Sequence, residues 1–201
     1  MALGDIIAGR RSRYRLGREI GVTDGEIIEA VENAVKNVPS AYNSQSQRAA
    51  LLLGHDHTDL WNITENALRK KIGDQRYRGA TEEKINGFRE AYGTVLFFDD
   101  MAKTCEFGNR YPSNVANFPI WAYQASGMLQ YAVWLSFEEM GLGASLQHYN
   151  PLIDMDVKER WSLSEDWKLF AQMPFGSIES EDPEKEFDPI DVRMKVFDGK
   201  E

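Results

Sequence analysis

The feature that most constrains this chain is an apolar stretch over residues 121–140, WAYQASGMLQYAVWLSFEEM. Its length approaches the roughly 20 apolar residues that a membrane-spanning helix needs. The stretch nevertheless contains two glutamines and two glutamates, and the mean hydropathy of the chain is −0.49. We therefore predict a helix that is buried at the centre of a domain or of a dimer, and no membrane span.

Composition excludes several other classes of protein. The 201 residues are 42% hydrophobic and 27% charged, which is typical of a globular domain. Because 32 acidic residues outnumber 23 basic ones, the chain would repel phosphate backbones, and nucleic acid is not an expected partner. The single cysteine, Cys105, cannot form an internal disulfide. The first residues place an apolar run before their charges, the reverse of a secretory signal. These features predict a soluble, cytoplasmic protein.

Hydrophobic periodicity predicts helices interleaved with strands, in either the α/β or the α+β class. Thr23 and Glu26 have the spacing of a capping box, and the helix that follows should stop at Pro39. The apolar helix should end in a left-handed cap at Gly141. Further helices are predicted near residues 60–68, 82–92 and 157–163, and strands at 49–53, 94–98, 144–149 and 167–173. The acidic stretch 177–186 is predicted to be a linker before a C-terminal tail.

Three polar motifs could carry chemistry, and each has an ordinary structural alternative. Residues 10–15 hold four arginines and a serine, which suit phosphate oxygens or form a solvated basic terminus. Residues 39–48, PSAYNSQSQR, offer donors and acceptors to the edge of a planar heterocycle or form a common turn. The string QHYNP at residues 147–151 lies at a predicted strand end, where a structural histidine is the alternative.

Metal, thiol and dinucleotide sites are not predicted. On a strand, His55 and His57 would share one face, but no further ligands stand at a recognisable spacing, so a polar loop after the strand is favoured. Cys105 has no neighbouring histidine or second cysteine that would activate it. The pair Gly141 and Gly143 lacks the third glycine of a dinucleotide-binding turn.

Five segments together resemble one family, the FMN-dependent nitroreductases, and in particular its compact bacterial and yeast subfamily. The segments are, in order, RRSRYRL, PSAYNSQSQR, GTVLFF, GLGASLQHYNP and the closing MPFG…EKEFDPIDVRMKV. The resemblance implies one FMN-binding domain over residues 1–201 in the α+β class, with a mostly antiparallel sheet flanked by helices. It also implies an intertwined homodimer with FMN at the interface, in which residues 177–201 form a tail that reaches the partner subunit.

The resemblance further implies roles for individual residues. Contacts with the FMN phosphate and pyrimidine fall on Arg10, Arg11 and Ser12. The loop that meets the flavin, partly from the neighbouring subunit, carries Ser40, Asn43 and Gln45. Backbone donors near flavin N5 and O4 fall on Leu146, Gln147 and His148. Phosphate contacts from the tail fall on Lys185 and, as a substitute for a basic residue replaced by Phe187, on Arg193. The substrate pocket falls on Phe118, Trp121 and Tyr123.

The activity that the resemblance implies is a ping-pong cycle. NADH or NADPH would deliver hydride to flavin N5 and be replaced by a nitroaromatic or quinone oxidant. Arginines near flavin N1 and O2 would stabilise the anionic reduced ring. Many family members have an acidic residue and a glycine where His148 and Tyr149 stand here, and His148 is a candidate proton donor. The alternative is a flavin-binding regulatory or stress-response protein with incidental reductase activity.

Overall fold

Helices and strands interleave along the computed structural model, which describes residues 2–180 and 185–199. The helices are α1 (Leu3–Gly9), α2 (Asp24–Asn37), α3 (Gly54–Ile72), α4 (Asp74–Tyr77), α5 (Ala80–Arg89), α6 (Met101–Arg110), α7 (Phe118–Glu139), α8 (Asp154–Trp161) and α9 (Ile190–Arg193). The strands are β1 (Leu16–Gly17), β2 (Gln47–Leu53), β3 (Gly93–Asp100), β4 (Gly143–Ala144) and β5 (Trp167–Ile178). Short 3-10 turns lie at Ala41–Asn43 and Pro112–Asn114.

One antiparallel sheet organises the described part of the chain. Its strand order is β1-β5-β3-β2, and β4 pairs with β5 beside β1. The central strand β3 pairs with β2 in continuous register from Gln47↔Asp99 to Leu53↔Gly93. Its register with β5 shifts between Phe97 and Phe98. The predicted α+β class, with an antiparallel sheet flanked by helices, is confirmed.

Helices cover both faces of this sheet, which explains the apolar sequence of β3. Val95 and Phe97 pack in a core with α2 and α7, whereas Leu96 and Phe98 pack in a second core with α3, α5 and α8. Side chains alternate between the two faces of a strand, so only a strand that is covered on both sides is apolar at every position. The run TVLFF is therefore buried throughout.

The long apolar stretch forms α7, and it packs one side into the first core. Leu129, Val133 and Phe137 are buried there. The predicted left-handed cap is confirmed, since Gly141 has a φ of +75°. Four large apolar side chains on the other side of α7 are exposed: Ile120, Tyr123, Met128 and Tyr131. Within residues 2–180 and 185–199, no helix combines the length and apolarity needed to cross a membrane.

The prediction of a polar loop at residues 55–59 is wrong. Gly54, with a φ of +55°, turns the chain directly from β2 into α3, so His55 and His57 lie in the first helical turn. Helical geometry separates their side chains: His55 is exposed and His57 is buried. The same residues therefore cannot present both imidazoles on one face.

Two predicted boundaries also change. The strand expected at 144–149 is reduced to β4 and an isolated bridge at Gln147. The strand does not continue to Tyr149, because the N–H of Tyr149 donates to the side-chain Oε1 of Gln172 at 2.8 Å instead of to a backbone carbonyl of β5. The expected linker at 177–186 starts later, because Ser177 and Ile178 still pair with β1. Residues 181–184 of that linker lie outside the described residues.

Candidate functional site

The arginine-rich N-terminal segment is held against β4 and the last turns of α7. Ser12 forms a parallel bridge with Ala144, and the N–H of Arg13 donates to the carbonyl of Ala144 at 2.9 Å. The Arg10 guanidinium lies 4.3 Å from the ring centroid of Trp134. Arg13 forms an ion pair with Glu138 at 3.6 Å. The cluster is thus a fixed, cationic edge beside the strand rather than a loose terminus.

Residues 146–148 lie next to this edge and present alternating backbone groups. Gln147 is buried and exchanges two backbone hydrogen bonds with Gln172 of β5, at 2.7 and 2.9 Å. Its side chain donates to the hydroxyl of Ser145 at 3.1 Å. Because peptide groups alternate in direction along an extended chain, the N–H groups of Leu146 and His148 face away from Gln172. His148 itself is exposed.

The segment 40–47, which we call the left-handed loop, has an unusual backbone. Tyr42, Asn43 and Gln45 have φ angles of +55°, +53° and +50°. The hydroxyl of Ser40 accepts the N–H of Gln45 at 2.8 Å, which closes the loop on itself. Such angles cost residues other than glycine on the order of 1–3 kcal/mol each and concentrate at binding sites. The side chains of Asn43 and Gln45 are exposed, and a strained backbone conformation sets the direction in which they point.

The left-handed loop and the arginine edge lie at opposite ends of the sheet within one chain. Ala144 pairs with Phe175, which pairs with Gly93 at the start of β3. The loop ends at Gln47, the first residue of β2, which pairs with Asp99 near the end of β3. Asp99 lies six steps along β3 from Gly93, which corresponds to about 20 Å. The two predicted sets of flavin contacts therefore do not meet within one subunit.

Aromatic side chains connect the left-handed loop to the start of α7. Tyr42 stacks on Tyr111 with 4.4 Å between ring centroids, and it lies 5.7 Å from Phe118 and 5.9 Å from Trp121. Of the predicted pocket residues, Phe118 and Trp121 thus lie beside the loop. Sequence reasoning did not single out Tyr42 or Tyr111, since a tyrosine within a polar turn gives no signal of its neighbours.

The third predicted pocket residue, Tyr123, lies elsewhere. It stacks on Phe170 with 4.3 Å between centroids, and the ammonium group of Lys168 donates to its hydroxyl at 3.0 Å. Side chains two positions apart on a helix point to nearly opposite sides, so Trp121 and Tyr123 cannot face one small ligand from the same subunit.

The predicted phosphate contacts of the tail, Lys185 and Arg193, are exposed. The ammonium group of Lys185 lies 4.9 Å from the ring centroid of Phe187. The tail also exposes apolar side chains that a soluble chain normally covers: Phe187, Ile190, Val192, Met194, Val196 and Phe197.

His57 belongs to a buried polar network rather than to a ligand site. Its ring nitrogens lie 2.9 Å from the hydroxyl of Thr94 and 3.2 Å from the carbonyl of Arg89. The indole N–H of Trp61 donates to the same Thr94 hydroxyl at 3.1 Å. Burial lowers the pKa of His57 to about 4, and the charges of Arg18 and Arg89 act in the same direction. Among the residues that the structure describes, no three His, Cys, Asp or Glu side chains could together hold a metal ion.

Comparison with known proteins identifies the class of protein to which this chain belongs. The Nitroreductase family pattern matches residues 7–177, so the chain belongs to the nitroreductase family, a family of oxidoreductases. The family resemblance predicted from the sequence is confirmed.

Particular relatives are similar along nearly the whole chain. HBN1 of Saccharomyces cerevisiae is 33% identical over 190 residues, which cover 94% of each chain. Nitroreductase CinD from Lactococcus lactis, solved in complex with chloramphenicol, is 39% identical with a TM-score of 0.89, over 98% of this chain and 100% of that one. A protein from Desulfovibrio desulfuricans, solved in complex with FMN, shares the fold at 16% identity and a TM-score of 0.71, over 98% of each chain.

Proposed function

We propose that this chain is an FMN-dependent oxidoreductase that takes electrons from NADH or NADPH and reduces nitroaromatic compounds, quinones or both. The observation that carries the proposal is the cationic edge at Arg10–Ser12, fixed beside the backbone donors of Leu146 and His148 within a nitroreductase chain. The domain would span residues 1–201 and act in the cytoplasm as a homodimer.

The donors of this edge fit FMN. Guanidinium groups suit a phosphate dianion and the electron-rich pyrimidine side of a flavin, and the Ser12 hydroxyl adds a further donor. Arg10 is half-buried against Trp134, which orients its planar group before any ligand arrives. When bound, FMN would supply the hydride chemistry, while the chain binds, orients and tunes it. Lys185 and Arg193 would add positive charge near the phosphate from the tail.

The separation of the two flavin-contact sets supports a site shared between subunits. One subunit would provide Arg10, Arg11 and Ser12, with Leu146–His148 beside them. Its partner would provide the left-handed loop, with Ser40, Asn43 and Gln45. The exposed apolar side chains of α7 and of the tail would be covered in such a dimer, which gives the association a hydrophobic driving force.

The aromatic residues beside the left-handed loop support an aromatic substrate. Phe118, Trp121 and Tyr42 offer ring faces and edges on which a planar oxidant or a nicotinamide ring could stack. The relative CinD has been solved with chloramphenicol and with 4-nitrophenol, both nitroaromatic compounds. Tyr123 points away from this cluster, so it could reach the same substrate only from the partner subunit, and we retain it on that basis in the proposed pocket wall.

His148 is proposed as a proton donor to the reduced substrate, because its exposed imidazole adjoins the backbone donors. Replacing His148 with Gln keeps the approximate size and polarity of the side chain but removes the imidazole that would donate the proton. We expect the alkaline limb of the pH–rate profile to change in His148→Gln, because a proton donor must carry its proton to act. An unchanged profile would exclude the role.

The proposal is tested first by the visible absorption spectrum of the purified protein. Two flavin bands, and release of about one FMN per subunit, are expected from the shared site. NAD(P)H-dependent reduction of a quinone or nitro compound, well above the rate with free FMN, would then separate an enzyme from a flavin-binding regulatory protein. A colourless protein that takes up no added FMN would contradict the proposal.

Arg10→Ala tests the proposed phosphate contact, with Arg15→Ala as the matched control. Both variants lose one guanidinium from the same segment, but Arg15 is exposed whereas Arg10 is half-buried beside the proposed site. We expect Arg10→Ala to weaken FMN binding about 10- to 100-fold, as loss of a charged hydrogen bond does. Full flavin content in Arg10→Ala after extensive dialysis would show that Arg10 does not hold FMN.

A further inference from the structure

Two consecutive acids at the end of β3, Asp99 and Asp100, connect the left-handed loop to α6. Asp99 is fully buried, and its two oxygens accept the hydroxyls of Ser46 and Thr104 at 2.6 and 2.5 Å. Ser46 belongs to the loop, whereas Thr104 belongs to the first turns of α6. A single carboxylate therefore holds one group from each element.

Asp100 repeats this arrangement on the half-buried side. One of its oxygens accepts Arg48 at 2.7 Å, and the other accepts the N–H of Lys103 at 3.1 Å, which makes Asp100 the N-cap of α6. Arg48 also donates to the carbonyls of Gln45 and Gln47, at 2.8 and 2.9 Å. The end of the left-handed loop is thus held at the side chain of Ser46 and at the backbone carbonyls of Gln45 and Gln47.

The loop needs such support because its backbone is strained. The three residues at positive φ, Tyr42, Asn43 and Gln45, would relax toward common angles if only local contacts held them. A buried carboxylate is itself costly: burial raises the pKa of Asp99, and the two hydroxyl donors act against that rise. An apolar residue would fill the same space at lower cost, so the carboxylate is better explained by the loop that it fixes.

We propose that Asp99 is a positioning residue for the cofactor, holding Ser46 so that the left-handed loop keeps its flavin-binding shape. The inference rests on the proposed function, since it takes FMN as the ligand of this loop. Asp99 acts through Ser46 and touches no reacting atom. Its own position is set by β3, where it pairs with Gln47 and Lys168, and does not depend on the hydroxyl of Thr104.

The two hydroxyl donors to Asp99 define a matched pair of variants. Ser46→Ala and Thr104→Val each remove one hydroxyl donor from the same carboxylate, but only the first removes a side-chain contact of the loop. The FMN-free form of wild type and of each variant would be titrated with FMN. The temperature would be one at which a thermal unfolding curve shows that all of these FMN-free proteins are folded. We expect Ser46→Ala to raise the dissociation constant of FMN about tenfold, and Thr104→Val to change it less than about twofold, although both lower Tm. Ser46→Thr, which keeps the hydroxyl, should restore binding.

The outcomes separate this inference from the proposed function. If wild-type apo-protein takes up no FMN, the proposed function fails and the inference fails with it. If wild-type protein binds FMN but both variants weaken binding equally, or neither does, Asp99 is only structural. Should Ser46→Ala not fold, Ser46→Cys tests the same contact, since the thiol nearly keeps the size of the side chain but is a much weaker donor to the Asp99 carboxylate. Unchanged FMN affinity in that variant would overturn the inference.

Discussion

The buried imidazole of His57 makes the stability of the fold depend on pH in a way that can be calculated. The carbonyl of Arg89 can only accept, so Nε2 of His57 donates to it, and Nδ1 accepts the hydroxyl of Thr94. The Thr94 oxygen in turn accepts the indole N–H of Trp61. The neutral imidazole completes this chain of donors and acceptors. A second proton on Nδ1 would break it inside the core.

The sign and size of the effect follow from the lowered pKa. His57 has a pKa of about 4 in the folded chain and 6.5 as its ordinary value, so the unfolded chain binds more protons between these pH values. The associated stability is present above pH 6.5 and is lost as pH falls toward 4. The full difference corresponds to about 3 kcal/mol, of which about 2 kcal/mol is lost between pH 7 and pH 5.

The measurement compares unfolding free energies of the wild-type protein and His57→Gln at pH 7 and pH 5, by denaturant titration at one protein concentration. The carboxylates titrate in both proteins, so the difference between their pH dependences isolates His57. We expect His57→Gln to be less stable at pH 7 but to lose about 2 kcal/mol less on acidification. The matched control is His55→Gln, which changes an exposed histidine of the same helical turn. Equal pH dependence in wild type and His57→Gln would refute the reasoning.

Two predictions concern backbone and helix ends. In Gly176→Ala, the added Cβ would lie 2.2 Å from the carbonyl oxygen of Gly17, so β1 must separate from β5, and we expect a large fall in Tm. Gly25→Ala, whose Cβ would approach nothing nearer than 3.8 Å, should keep or raise Tm, and similar values for the two variants would contradict the packing argument. Thr23→Ala removes the capping box at the start of α2, where Thr23 and Glu26 bond to each other's N–H, and we expect Tm to fall by about 3 °C. Thr23→Ser keeps the acceptor oxygen and should retain most of the Tm; an equal loss would show that the cap is not responsible.

Local signals in the sequence predicted those parts of the fold that depend on neighbouring residues. The capping box at Thr23, the buried strand before Asp99 and the left-handed cap at Gly141 are each specified within a few positions. The start of α3 was mistaken for a loop because Gly54 makes the turn without a capping side chain, and polar residues follow it. The helix α6 was not predicted, because its fully buried positions are held by Thr104 and Gly108 rather than by large apolar side chains.

The contacts that shape the candidate site were beyond the reach of such signals. Ser46 and Asp99 are 53 residues apart, and Tyr42 and Asn114, which share a hydrogen bond, are 72 apart. Their meeting depends on strand register and on how α6 leaves the sheet. The resemblance to a family predicted which residues contact the flavin, whereas the separation of the arginine edge from the left-handed loop by the length of β3 is visible only in the fold.

That separation has a genetic consequence in the proposed dimer. Each shared site would take its arginine edge from one subunit and its left-handed loop from the other. A homodimer altered at Arg10 and a homodimer altered at Gln45 would each carry two defective sites. Mixed dimers of the two would carry one site with both defects and one with none. Two inactive alleles expressed together should therefore complement each other, with at most half the sites of any mixed dimer binding FMN normally.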